Sequence, residues 1–97
     1  LFRSVLVTYA TNSSIMAHNA STGAASPVTA IYTSALQLNT PRAIATDDDG
    51  YIYVGSDGSD LVVKLYWDGV AASATYIGTI IQNSTFSQNV TSITVVP

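Results

Sequence analysis

Asp47, Asp48, Asp49, Asp57, Asp60 and Asp68 are the only acidic residues of the chain, and all six lie within residues 41–69. Carboxylates gathered in this way suit a hard cation such as calcium, which takes roughly six to eight oxygen ligands. The EF-hand loop needs D-x-[DN]-x-[DN]-G with a Glu further on, so that the ligands alternate around the ion. Asp47, Asp48 and Asp49 run together before Gly50 without that alternation, and the chain has no Glu. Asp47, Asp49, Asp57 and Asp60 are therefore weak calcium candidates, and no metal or other cofactor is expected. The competing role is hairpin chemistry, in which an Asp side chain accepts hydrogen bonds from backbone amides just ahead of it.

Other catalytic groups are sparse. His18 is the only histidine and there is no cysteine, which removes thiolate zinc sites and thiol nucleophiles. A general base needs a partner at the same point, and the carboxylates lie far along the chain. Twelve serines are present, but none sits in a G-x-S-x-G elbow, and no glycine-rich phosphate loop occurs. No catalytic residue is expected, and the chain reads as a non-enzyme.

Charge excludes further classes. Arg3, Arg42 and Lys64 are the only fixed cations and the net charge is −3. Nucleic-acid binding needs a basic stripe to release counterions, so no such partner is expected. No apolar run reaches the ~20 residues that span a bilayer as a helix. Charged residues make up only 9% of the chain, so Ser, Thr and Asn must build its solvent face. A chain opening on Leu1 reads as a processed or excerpted segment.

The asparagines carry a second kind of site. Four of the five open an N-x-[ST] triplet: Asn12, Asn19, Asn83 and Asn89. Each is an acceptor for N-glycosylation on a secretory route. Covalent glycans would keep a surface with few charges soluble, and the expected location is extracellular or at the cell surface.

The elements that position these residues form a repeat. Residues 5–33 align without a gap on residues 51–79, 46 positions on. Gly23 and Gly69 coincide where a turn needs a positive φ. Residues 39–46 resemble residues 88–96, with Ile44 over Ile93. Alternation and turn residues predict four strands over 43–46, 51–55, 61–67 and 74–81. Ile52 and Val54 share a face opposite Tyr51 and Tyr53. Leu61, Val63, Leu65 and Trp67 share a face opposite Val62, Lys64 and Tyr66. Both faces are largely apolar, as in a sheet packed between two neighbours. The expected fold is all-β, made of antiparallel four-stranded repeats like β-propeller blades, with a β-sandwich as the alternative. Residues 1–38 are a partial blade, 39–83 a complete one, and 84–97 the first strand of the next.

The stretch P-x-x-I-A-x-D-x-x-G-x-I-Y-V-G over residues 41–55 resembles the NHL-type repeat of six-bladed propellers. Pro41, Ile44, Asp47, Gly50, Tyr53 and Val54 match its pattern, and Gly69 marks the later turn. The resemblance covers one full repeat well and residues 5–33 weakly. It implies a structural unit that many functions share. NHL-like lyases and lactonase-like hydrolases hold a central metal with several His or acidic residues, and no such set occurs in the inner-strand segments here. The resulting expectation is a non-catalytic scaffold or adhesion module. Two blades leave an apolar face bare, so self-association or further blades of the same protein are the expected partners. A fragment of an NHL-like enzyme and a small repeat lectin are the alternatives.

Overall fold

The computed structural model describes residues 3–27, 29–34, 36–56, 61–82 and 90–97. The fold is all-β. Strands β1 (Ser4–Tyr9), β2 (Ser14–Asn19) and β3 (Tyr32–Thr33) form one antiparallel sheet in the order β1-β2-β3. Strands β4 (Pro41–Thr46), β5 (Tyr51–Ser56), β6 (Leu61–Tyr66) and β7 (Thr75–Gln82) form a second in the order β4-β5-β6-β7. Each sheet is a meander, so every strand pairs with its chain neighbour. The four strands expected between residues 43 and 81 are present with ends shifted by one or two residues. Residues 90–97, expected to hold the first strand of a further blade, form no strand within the single chain.

Local chemistry sets these boundaries. Pro41 opens the edge strand β4, where its missing N–H leaves no ladder bond unmade. Gly50 closes the β4–β5 hairpin at φ +94°, a conformation that a side chain opposes. Gly23 and Gly69 both have positive φ, at +79° and +89°, as their coincidence in the repeat predicts. β7 carries two register shifts against β6. Such bulges twist a free edge and blunt its pairing.

The two sheets share one core. Ile15, Ala17, Ile31 and Leu38 from the first part of the chain pack with Ile52, Val54, Val63, Leu65, Trp67 and Ala74. Leu6, Ile44 and Leu61 flank this cluster. The Ala74 N–H donates to the Ile31 carbonyl at 2.7 Å beside β7 and β3, and the Thr8 hydroxyl donates to the Arg42 carbonyl at 3.4 Å, so one backbone and one side-chain hydrogen bond also link the two parts. Ser56 is fully buried, and its hydroxyl donates to the Asn39 carbonyl at 3.0 Å.

The faces match the expected alternation in the four-stranded sheet. Ile52 lies opposite Leu65 and Val54 opposite Val63, all buried. Tyr51 lies opposite Tyr66 and Tyr53 opposite Lys64, all on the outer face.

The relation between the two sheets corrects the 46-residue alignment. In an antiparallel ladder, directly opposite residues alternate between hydrogen-bonded and non-hydrogen-bonded pairs. The Ala20 N–H donates to the Arg3 carbonyl, and the Trp67 N–H to the Gly50 carbonyl. Counting by twos, Val5–His18 and Val7–Met16 are hydrogen-bonded pairs, and so are Ile52–Leu65 and Val54–Val63. The first set points away from the core and the second into it. Strand equivalence therefore runs at 47 positions, placing Val5 on Ile52, Val7 on Val54, Met16 on Val63 and His18 on Leu65. His18 does not correspond to Lys64. The gapless alignment follows the turn glycines, which stay 46 apart, and a slip of one residue exchanges the faces of a strand.

The sheets thus pack by opposite faces. The hydrogen-bonded-pair face of the four-stranded sheet lies on the non-hydrogen-bonded-pair face of the three-stranded one. Among the described residues no further sheet lies on the two remaining faces, which carry half-exposed or exposed Val5, Val7, Met16 and His18 on one side and Tyr51, Tyr53, Lys64 and Tyr66 on the other.

Candidate functional site

Asp47 is built into the β4–β5 hairpin. Its Oδ1 accepts from the Asp49 N–H at 2.9 Å and the Tyr51 N–H at 3.0 Å. Its Oδ2 accepts from the Tyr53 hydroxyl at 2.9 Å. Desolvation opposes the Asp47 charge. The hydrogen bonds from Tyr51, Tyr53 and Asp49, with the Lys64 charge beyond them, outweigh it and hold the carboxyl below its usual range. The same bond, with burial added, holds the Tyr53 hydroxyl above its usual range. Both Asp47 oxygens are therefore engaged by donors, the opposite of a carboxylate waiting for a cation. Asp48 and Asp49 are exposed on the same turn.

Asp68 plays an equivalent part after β6. Its Oδ1 accepts from the Val70 N–H at 2.8 Å and the Ala71 N–H at 2.7 Å, and these bonds hold its carboxyl below the usual range. In the first sheet the Thr22 hydroxyl, 46 positions earlier, accepts from the Ala24 N–H at 3.2 Å. A neutral hydroxyl at Thr22 thus makes one of the two kinds of bond that the carboxylate makes at Asp68, and a turn forms at this position without a charge. Among the described residues no three His, Cys, Asp or Glu side chains gather. The calcium candidates Asp57 and Asp60 lie outside the described residues.

These bonds give a pH dependence. Asp47 and Asp68 are depressed in the folded chain from an unfolded value near 3.8. Their contribution is complete above that value and is lost as pH falls through the lower folded values. Urea unfolding between pH 5 and pH 2 should therefore show stability falling with acid. The double variant Asp47→Ala/Asp68→Ala should start less stable and fall less steeply. An acid limb of unchanged slope in that variant would contradict the assignment.

The sequons divide. Asn12 is exposed in the 3-10 turn Ala10–Asn12 between β1 and β2. Asn19 ends β2, and its Oδ1 accepts from the Ser21 N–H at 2.8 Å and the Thr22 N–H at 3.0 Å. That geometry uses the side-chain oxygen and not the amide nitrogen, the atom that carries an N-glycan. Asn19 also lines a cleft of about 430 Å³ with Arg3, Ser4, Ser26, Pro27, Gly69 and Val70. Among the described residues of that lining Arg3 is the one charged group, so they supply no acid–base pair. Asn83 and Asn89 lie outside the described residues.

Two clusters were not legible from residue types. His18 Nδ1 lies 2.9 Å from the Gly23 carbonyl and Nε2 3.0 Å from the Tyr9 hydroxyl, with the two rings stacked. The carbonyl accepts only, so Nδ1 donates there. Both ring nitrogens are thereby used in holding the β2 end and its turn. On the outer face of the other sheet, the Lys64 ammonium sits 4.2 Å from the Tyr51 ring centroid and 5.6 Å from that of Tyr53. Tyr66 meets Tyr51 edge to face at 5.4 Å. Each such contact contributes on the order of 1 kcal/mol. The signal available in the sequence was the alternation of β5 and β6; the hairpin register supplied the rest.

No protein-family model matches the chain, nor does any curated protein or solved structure. Among the described residues no helix is long and apolar enough to cross a membrane.

Proposed function

We propose that the chain is a non-catalytic extracellular glycoprotein module that serves as a scaffold or adhesion unit and assembles through propeller-like blades. The observation that carries this reading is the packing of the sheets by opposite faces. Such a contact can be repeated indefinitely, because each added sheet presents the face the next one needs. A β-sandwich closes its core between two inner faces and turns polar residues outward. Here the outer faces carry Val5, Val7 and Met16 on one side and Tyr51, Tyr53 and Tyr66 on the other. The four-stranded meander and the Asp47–Gly50 hairpin are in keeping with an NHL-like blade.

The arrangement of the titratable groups supports a non-catalytic role, since Asp47 Oδ1, Asp68 Oδ1 and His18 Nδ1 each hydrogen-bond the backbone of a turn. A lectin role is disfavoured by Lys64, which occupies the ring face of Tyr51 that a sugar would stack on. The exposure of Asn12, and the use of the side-chain oxygen in the turn bonds at Asn19, support glycosylation.

Two measurements test this reading. Sedimentation equilibrium should show concentration-dependent association, and a monomer at every soluble concentration contradicts it. Intact mass of protein from its native source should fall after enzymatic glycan removal. An unchanged mass rules out the glycoprotein part.

A further inference from the structure

We infer that copies of the chain join head to tail, with residues 91–96 of one copy adding as a fourth strand to the β1 edge of the next. The inference rests on the self-association reading above and specifies its interface.

In the four-stranded sheet, β5 has β6 on one edge and β4 on the other. β1 is the equivalent of β5, and among the described residues only β2 pairs with it. Ser4, Leu6 and Thr8 stand in its non-hydrogen-bonded pairs with β2, so their N–H and C=O groups point to the open edge. An open edge of this kind is a template for another strand. The strand that fills the corresponding place on β5 is β4. The segment that resembles β4, 49 positions on, is residues 88–96, and residues 91–97 are exposed or half-exposed and outside any strand.

Val90, just ahead of residues 91–96, already sits where such a strand would begin. A Cβ built on Gly55 would meet Val90 Cγ1 at 2.5 Å and Ala43 Cβ at 3.4 Å, so Val90 lies directly on the outer face of β5. By the two shifts, Val90 corresponds to Pro41 and Gly55 to Thr8. Thr8 is the residue whose hydroxyl reaches the Arg42 carbonyl. Arg42 follows Pro41, so the Val90–Gly55 contact lies one residue from the counterpart of that β1–β4 contact, one sheet further along.

Transferring the β4–β5 register places Ile93 opposite Val7, Thr94 opposite Leu6 and Val95 opposite Val5 of the second copy. This pairing lays Val5, Val7, Met16 and His18 of the second copy over Tyr51, Tyr53, Lys64 and Tyr66 of the first. One docking mode thus completes the three-stranded sheet and covers both bare faces. The contact is heterologous, so it closes into a ring or continues as a filament.

Engineered cysteines test the register in a chain that has none of its own. Val5→Cys protein mixed with Val95→Cys protein should form a disulfide-linked dimer of the two. These residues would face each other in a non-hydrogen-bonded pair, the closest approach in a ladder. Thr94→Cys, which would point to the other face, should link to Val5→Cys roughly tenfold or more slowly. Ser4→Pro removes an edge donor without removing a ladder bond to β2, and Ile93→Asp alters only the added strand. Each should weaken association by roughly tenfold or more, with circular dichroism unchanged. A monomer at all concentrations with no mixed disulfide overturns both this inference and the self-association reading. Association that survives Ser4→Pro and Ile93→Asp, or linking with no preference for Val95, overturns the inference alone.

Discussion

Trp67→Ala will destabilise the chain by about 3–5 kcal/mol, the range for removing a large buried aromatic. Trp67 is only 8% exposed and lies in the shared core with Leu65 and Ala74. Its Nε1 donates to the Ala71 carbonyl at 2.8 Å, which ties the Asp68–Gly69 turn back onto the core. Alanine would leave a cavity between the sheets and an unpaired carbonyl at the turn. A small domain has only about 5–15 kcal/mol in total, so the variant should be close to unfolding at ambient temperature. Trp67→Phe keeps most of the ring and loses the hydrogen bond, so it should cost less, about 1–3 kcal/mol. Urea unfolding followed by far-ultraviolet circular dichroism reads both. Equal midpoints for wild type and Trp67→Ala would remove Trp67 from the core.

Gly50→Val is expected to be the most damaging change on the surface. Gly50 has φ +94°, where a β-branched residue is a genuine outlier. A Cβ there would also lie 2.9 Å from Tyr66 Cε1 and 3.2 Å from the Trp67 carbonyl oxygen. The ring could swing aside, but the carbonyl belongs to the backbone that accompanies the Trp67–Gly50 hydrogen bond. Backbone strain of about 1–2 kcal/mol and overpacking of about 1–3 kcal/mol act together. At roughly 4–8 °C per kcal/mol for a domain of this size, the melting temperature should drop by at least 10 °C. Gly23→Val makes the comparison, since Gly23 shares the positive φ but no atom lies within 4 Å of its added Cβ. It should show the strain alone. Equal losses at the two positions would mean that the contact with Tyr66 and Trp67 contributes nothing.

Much of the four-stranded sheet was legible in the sequence, because each strand is bounded by residues with one strong conformational role. Asp47 and Gly50 mark one hairpin, and Asp68 and Gly69 mark the turn after β6. Alternation between them placed Ile52, Val54, Val63 and Leu65 on one face and Tyr51, Tyr53, Lys64 and Tyr66 on the other. The turn bonds of Asp47 and Asp68 were also readable, since each Asp stands just ahead of a turn glycine and of backbone amides that its side chain can accept from.

What could not be read was the phase between the repeats. The turns of the first sheet keep their glycine and exchange Asp for Thr, so they align at 46 positions. Its strands hold Val, Leu, Met and Ile on both faces, so nothing in their composition opposes a slip by one residue. Only the backbone hydrogen bonds distinguish the two faces, and these place Val5 and Val7 outside and Leu6 and Thr8 inside. The brief strand β3 was equally obscure. Its two residues pair with Ser14 and Ile15, and alternation has no meaning over so short a span. The Tyr9–His18 pair depends on a side chain leaning along the sheet past Val7 and Met16, which residue spacing does not report.

The central claim is that the two sheets meet by opposite faces, and methyl-labelled nuclear magnetic resonance tests it most directly. Cross-peaks should connect Leu6, Ile15 and Ala17 with Ile52, Val54, Val63 and Leu65 in dilute, monomeric sample. Cross-peaks from Val5, Val7 and Met16 to that same buried set would place the equivalent faces together and contradict the account.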